Sequence, residues 1–117
     1  MAGTVTHDGV PIIMLLVAGQ TWPGIIDTGF NGDVELPETL RLALQPRFIG
    51  RIASVLAGGQ RVEEDAYLVD FPFDGQTVRA EATFVPGGEM LLGTQLLQQY
   101  RLEIHFPART VLLERAS

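Results

Sequence analysis

The chain has 117 residues, a net charge of −6 at neutral pH and no cysteine. This length allows one domain with its own core, and 46% hydrophobic against 19% charged residues excludes a disordered chain. The acidic balance argues against nucleic acid, and the missing cysteines exclude disulfides and thiolate chemistry. The eight basic residues are all arginine, so Schiff-base catalysis through lysine is also excluded.

Residues 1–6 carry little signal beyond an edge strand. Residues 10–17 are apolar throughout and predict a strand buried on both faces. The long apolar run of residues 12–18 is too short to cross a bilayer and follows Asp8-Gly9 instead of a basic start, which argues against a signal peptide. The expectation is a soluble, cytoplasmic, single domain over residues 1–117. Ala18-Gly19-Gln20 turns the chain, and residues 21–26 return as a second strand. Pro23 must sit there where no ladder donor is needed, and Trp22 reads as a packing residue.

The stretch Gly24-Ile25-Ile26-Asp27-Thr28-Gly29-Phe30-Asn31-Gly32 organises the chain. Ile25 and Ile26 favour a strand, so Asp27 arrives at a strand end beside a buried region. Thr28 bonds locally, and Gly29 permits a sharp turn and close approach of another segment. Residues 37–44 predict a helix, with Pro37 in its first turn and Leu36, Leu40, Ala43 and Leu44 on one face. Residues 51–55 and 60–68 read as strands joined by Leu56-Ala57-Gly58-Gly59, a hairpin signal.

Phe73-Asp74-Gly75-Gln76 marks another hairpin, and residues 77–84 then alternate as a half-buried strand. Pro86-Gly87-Gly88 breaks that strand before Met90-Leu91-Leu92-Gly93-Thr94, which repeats the Asp27 pattern without the acid. Residues 95–100 predict a second short helix with Thr94 as its N-cap. Residues 101–106 alternate again and place His105 on the polar face with Arg101 and Glu103. Glu63-Glu64-Asp65 reads as a solvated strand end. Asp27 with Asp33 lacks the spaced oxygen ligands of a calcium loop, so neither a metal nor any other cofactor is expected.

The Asp27-Thr28-Gly29 loop and its echo at Leu91-Leu92-Gly93 resemble the retropepsin-like aspartic proteases of clan AA, in particular the small stand-alone bacterial and archaeal type. The resemblance implies an all-β acid-protease barrel, a single lobe with one or two short helices, working as a symmetric homodimer. It implies that Asp27 is the catalytic acid, that Thr28 and Gly29 support its loop, and that Leu91, Leu92 and Gly93 brace it from below. Gly29, Phe30 and Asn31 would meet substrate, while Ala57, Gly58 and Gly59 would form the tip of a covering flap.

Two carboxylates sharing a proton are needed to hydrolyse a peptide bond, and Leu92 stands where a second acid would be. The partner acid must therefore come from a second copy. The expected function is aspartic endopeptidase, with a peptide or protein substrate and no membrane partner. The alternative is a catalytically silent dimerisation or peptide-binding module of the same fold. Phe30 departs from the family, whose retroviral members carry a small residue there. It cannot donate a hydrogen bond to the carboxylate, which implies a shared proton held to higher pH unless the ring points into the core.

Overall fold

The computed structural model describes residues 1–55 and 58–116. Among the described residues, runs of β-branched and aromatic residues between turn glycines form ten strands. In chain order these are β1 (Ala2–Val5), β2 (Pro11–Val17), β3 (Gln20–Ile26), β4 (Val34–Pro37) and β5 (Arg47–Val55). There follow β6 (Arg61–Phe73), β7 (Gln76–Val85), β8 (Met90–Leu92), β9 (Tyr100–His105) and β10 (Thr110–Arg115). Two reversals use a pair of residues at positive φ: Ala18-Gly19 at 52° and 81°, and Asp74-Gly75 at 53° and 74°. These mirror-image turns match the right-handed twist of the strands they join.

All ten strands lie in one sheet, in the order β5-β6-β7-β4-β8-β3-β2-β1-β10-β9. Neighbours are mostly antiparallel, but β8 enters between β3 and β4. It runs parallel to β3, with Gly24 beside Met90 and Ile26 beside Leu92, and antiparallel to β4, with Val34 beside Leu92. The loop of residues 27–33 that connects β3 to β4 therefore passes across the end of β8. Pro23 lies one residue before the β8 ladder begins, where β3 is paired on one side only.

One core runs beneath the sheet and includes Ile13, Leu15, Val17, Ile26, Leu36, Phe71, Leu92 and Leu113. Trp22, half-buried opposite Leu15, packs against it as expected. The expectation that residues 10–17 are buried on both faces is overturned. Met14 is 53% and Leu16 67% exposed, because the core covers one face of β2 only. Nor is β1 an edge strand, since it lies between β2 and β10. Gly3 makes that possible, as a Cβ there would run into the Ile12 carbonyl. The Met1 ammonium then donates to the Leu113 carbonyl at 2.6 Å. Among the described residues, β5 and β9 end the sheet.

The first helix is shorter than expected. Pro37 closes β4, Glu38–Leu40 makes a single 3-10 turn, and α1 covers only Arg41–Leu44. Leu36 and Leu40 are buried, yet Ala43 is exposed, because Gln45 in the left-handed region (φ 47°) ends the helix before a stripe is complete. Arg41 pins this segment, bonding Glu38 at 2.6 Å and lying 4.6 Å from the ring centroids of both Tyr67 and Phe84. The second expected helix, residues 95–100, does not form. Its place is taken by a series of turns, with Leu97 N–H donating to the Gly93 carbonyl and Tyr100 N–H to that of Leu97. Tyr100 is already paired with Arg115 in β9, and the few residues left are too short a run to nucleate a helix. Among the described residues no helix is long and apolar enough to cross a membrane.

Candidate active site

Asp27 emerges at the end of β3 with its backbone N–H bonded to the Leu92 carbonyl at 3.0 Å. Two residues on, the Gly29 N–H donates to Asp27 Oδ1 at 3.0 Å, and Phe30 N–H donates to the Asp27 carbonyl at 3.1 Å. The carboxylate is thus half-buried and held by its own loop. Gly29 is required for space and not for a special φ, since it lies outside the positive-φ region. A Cβ there would stand 3.3 Å from Asp27 Oδ1 and crowd the carboxylate.

The loop is fastened to the chain just after β8. Gly93 N–H donates to the Asp33 carbonyl at 2.9 Å, Thr94 N–H to that of Phe30 at 2.8 Å, and Gln95 N–H to that of Gly32 at 3.1 Å. Leu92 and Gly93 are buried beneath the loop, and Leu91, half-buried, faces the cleft above. Thr94, expected as a helix cap, instead serves this junction; its hydroxyl also lies 3.4 Å from the Phe30 carbonyl. The Phe30 ring covers the glycines of both segments, as a Cβ at Gly32 would come within 2.7 Å of it and one at Gly93 within 2.8 Å. Phe30 also lines the cleft, so the ring is both filler and wall.

A cleft of about 240 Å³ opens at Asp27. From the loop and β8 it is lined by Asp27, Gly29, Phe30, Gly32, Asp33 and Leu91. From β4 and β7 come Val34, Glu35, Glu81, Ala82 and Thr83, and from the β5–β6 hairpin Ile52, Glu64 and Ala66. Thr28 and Asn31 are exposed and are not among these lining residues, nor are Gly58 and Gly59, exposed near the hairpin tip. Ala57 lies outside the described residues.

Glu35 and Thr83 carried no expectation, and Glu64, expected with Glu63 and Asp65 at a solvated strand end, is instead half-buried inside β6 and lines the cleft. The available signal was Val34-Glu35-Leu36, a charged residue inside a strand otherwise built for the core. Asp33 is drawn in by structure as well, its carboxylate accepting the Glu81 N–H at 2.8 Å.

Glu35 is half-buried, and its carboxyl is raised above its ordinary 4.5 chiefly by burial, then by the negative charges of Glu64, Asp27 and Glu89. In the unfolded chain it keeps the ordinary value, so the folded chain binds the extra proton between the two values. Stability therefore falls as pH rises through that interval and stays lower above it. Glu35→Gln is expected to raise the melting temperature at pH 7, with the gain shrinking toward zero by pH 4. Equal gains at both pH values would mean that packing, and not charge, is responsible.

Neither a protein-family model nor a curated protein matches this chain. Solved structures do match it. A retropepsin-like aspartic protease from Rickettsia conorii superposes with a TM-score of 0.69 at 15% identity, covering 98% of this chain and 89% of that one. The EIAV protease, solved with the inhibitor HBY-793, gives 0.56 at 19% identity over 81% of this chain and 91% of its own. A foamy viral protease–reverse transcriptase gives 0.59 at 22% identity over 80% of this chain, which spans only 16% of that longer one. At these identities the likeness establishes architecture, and with the β3–loop–β4 segment crossing β8 it is unambiguous: this chain has a retropepsin-like fold.

Proposed function

We propose that this protein is an aspartic endopeptidase that acts as a symmetric homodimer. The observation that carries the reading is Asp27 itself, held in an Asx-type turn at a cleft, with Leu92 and Gly93 and no acid in the matching position of β8. One chain supplies one such carboxylate, and the chemistry needs two. Across a two-fold axis the two Asp27 carboxylates share a proton, because neither can ionise freely beside the other. One then activates water as a base while the other donates to the substrate carbonyl oxygen.

The exposed Thr28 suits contact between the two loops, and Gly29 and Asn31 suit contact with the substrate backbone. The β5–β6 hairpin acts as the flap, with Gly58 and Gly59 near its tip. Each copy is then one barrel-like lobe of the active enzyme, and the cysteine-free composition suits the cytoplasm.

The test is digestion of a synthetic peptide library over a range of enzyme concentrations, with sedimentation run in parallel. Activity per chain is expected to fall on dilution in step with loss of the dimer. Full activity from a monomer at every concentration would overturn both the dimer and the mechanism. Peptide binding without turnover at any concentration would leave a silent binding module of the same fold.

A further inference from the structure

The cleft beside Asp27 is apolar along its sides and acidic within. Strands β7, β4 and β8 place Thr83, Glu35 and Leu91 side by side, since Thr83 is level with Glu35 and Glu35 with Leu91. All three line the cleft. From the opposite wall comes Glu64, paired with Ile52 across the hairpin. Strand alternation sorts the acidic run of β6 by face. Glu63 and Asp65 lie with Arg51, at 3.8 and 3.4 Å, whereas Glu64 is turned into the cleft. No arginine is among the residues lining it.

A second observation is independent of these charges. Thr83 is only 6% exposed, and its Oγ1 has no hydrogen-bond partner among the described residues. A buried hydroxyl without a partner costs stability, and a ligand group that reached and bonded it would remove that cost. The carboxylates do not converge on a point: among the described residues no group of three or more His, Cys, Asp or Glu could hold a metal ion. Carboxylates spread along an apolar cleft fit a long flexible cation, whose stem packs while its head is bonded.

We propose that the cleft selects substrates carrying an arginine or lysine next to the scissile bond. The stem of that side chain lies against Ile52, Ala66 and Leu91, and its head sits between Glu35 and Glu64 with Thr83 as a further acceptor. This deepens the endopeptidase reading and rests on it for the word substrate. A cationic guest also relieves the mutual repulsion that Glu35 and Glu64 carry without one, so recognition and charge balance point the same way. The neighbouring Asp27 is left to its own chemistry.

The experiment has two arms on one synthetic peptide library of balanced composition. In the first, wild type digests the library beside Asp27→Asn, and the cleavage sites are read by mass spectrometry. In the second, the Asp27→Asn protein captures peptides from the undigested library. Arginine and lysine are expected to be enriched at one position near the cleaved bond, and in the captured pool. Replacing Glu35 and Glu64 together by glutamine should lower the arginine-over-norleucine ratio of kcat/KM by roughly tenfold to a hundredfold.

Asp27-dependent cleavage with no cationic preference, or with a preference the double variant keeps, overturns the inference and leaves the endopeptidase standing. If no cleavage depends on Asp27, the endopeptidase reading fails and the capture arm decides alone. Enrichment that the glutamine pair abolishes then supports a cation-selective cleft, and no enrichment removes it. Thermal unfolding of the double variant, expected to be no lower than wild type at pH 7, excludes misfolding as the cause.

Discussion

Asp27→Asn is expected to lower kcat/KM on a cleavable peptide by at least about a thousandfold while the fold survives. Asparagine has the same shape, and its carbonyl oxygen can still accept the Gly29 N–H that holds the aspartate. The backbone bonds from Asp27 N–H to Leu92 and from Phe30 N–H to Asp27 are untouched. What disappears is the titratable group, so nothing remains to take a proton from water or return one to the substrate. The proposed dimer should survive, because two asparagine amides can hydrogen-bond to each other where the carboxylates shared a proton. Steady-state kinetics and sedimentation on the same preparation check both halves. Retention of more than a few per cent of activity in homogeneous protein would assign the chemistry to another residue.

The largest effect on stability is expected at Gly93. A Cβ there would collide with the Gly32 carbonyl oxygen, and would stand 2.8 Å from the Gly32 carbonyl carbon and from the Phe30 ring. Two of these obstacles are backbone, which cannot swing aside as a side chain can. Relief requires the whole loop to move, and that loop is held by the bonds from Gly93, Thr94 and Gln95. Gly93→Ala should therefore cost about 3 kcal/mol, at the upper end of overpacking effects. In a chain of this size that lowers the melting temperature by roughly 10–20 °C. A control at Gly58, where a Cβ meets nothing within 4 Å, should change stability little. If Gly93→Ala melts with wild type, the junction between the loop and β8 is looser than its hydrogen bonds imply.

Much of this was legible because the informative residues act locally. Asp74-Gly75 declares its turn through the φ values it tolerates, and the alternation of β9 needs only its neighbours. The link between Asp27 and Leu92 is long-range, yet two similar sequence patterns gave it away. What stayed hidden depends on which neighbours a segment finds. Met14 and Leu16 read as core because nothing in an apolar run says that only one side of β2 will be covered. Residues 95–100 have helical spacing, but β10 claims Tyr100 for a ladder that no local pattern announces. Glu64 looked like its neighbours Glu63 and Asp65, and only the pairing of β6 with β5 decides which of the three faces the cleft. The fold was thus easier to read than the lining of the site.

The insertion of β8 between β3 and β4 has a consequence for the chain during its synthesis. The contacts that shape the Asp27 loop join Phe30 to Thr94, 64 positions later. While residues 90–95 are still inside the ribosome, the carbonyls of Phe30, Gly32 and Asp33 lack the donors that fix them. The Asp27 N–H lacks its acceptor too, so a nascent chain can carry the acid without the geometry that gives it a use. Closing so long a loop is entropically costly, and is met only when β8 brings its own burial to the joint. In the hydrolase proposed above, whose first unfolded neighbour is its own chain, the acid is thus assembled late.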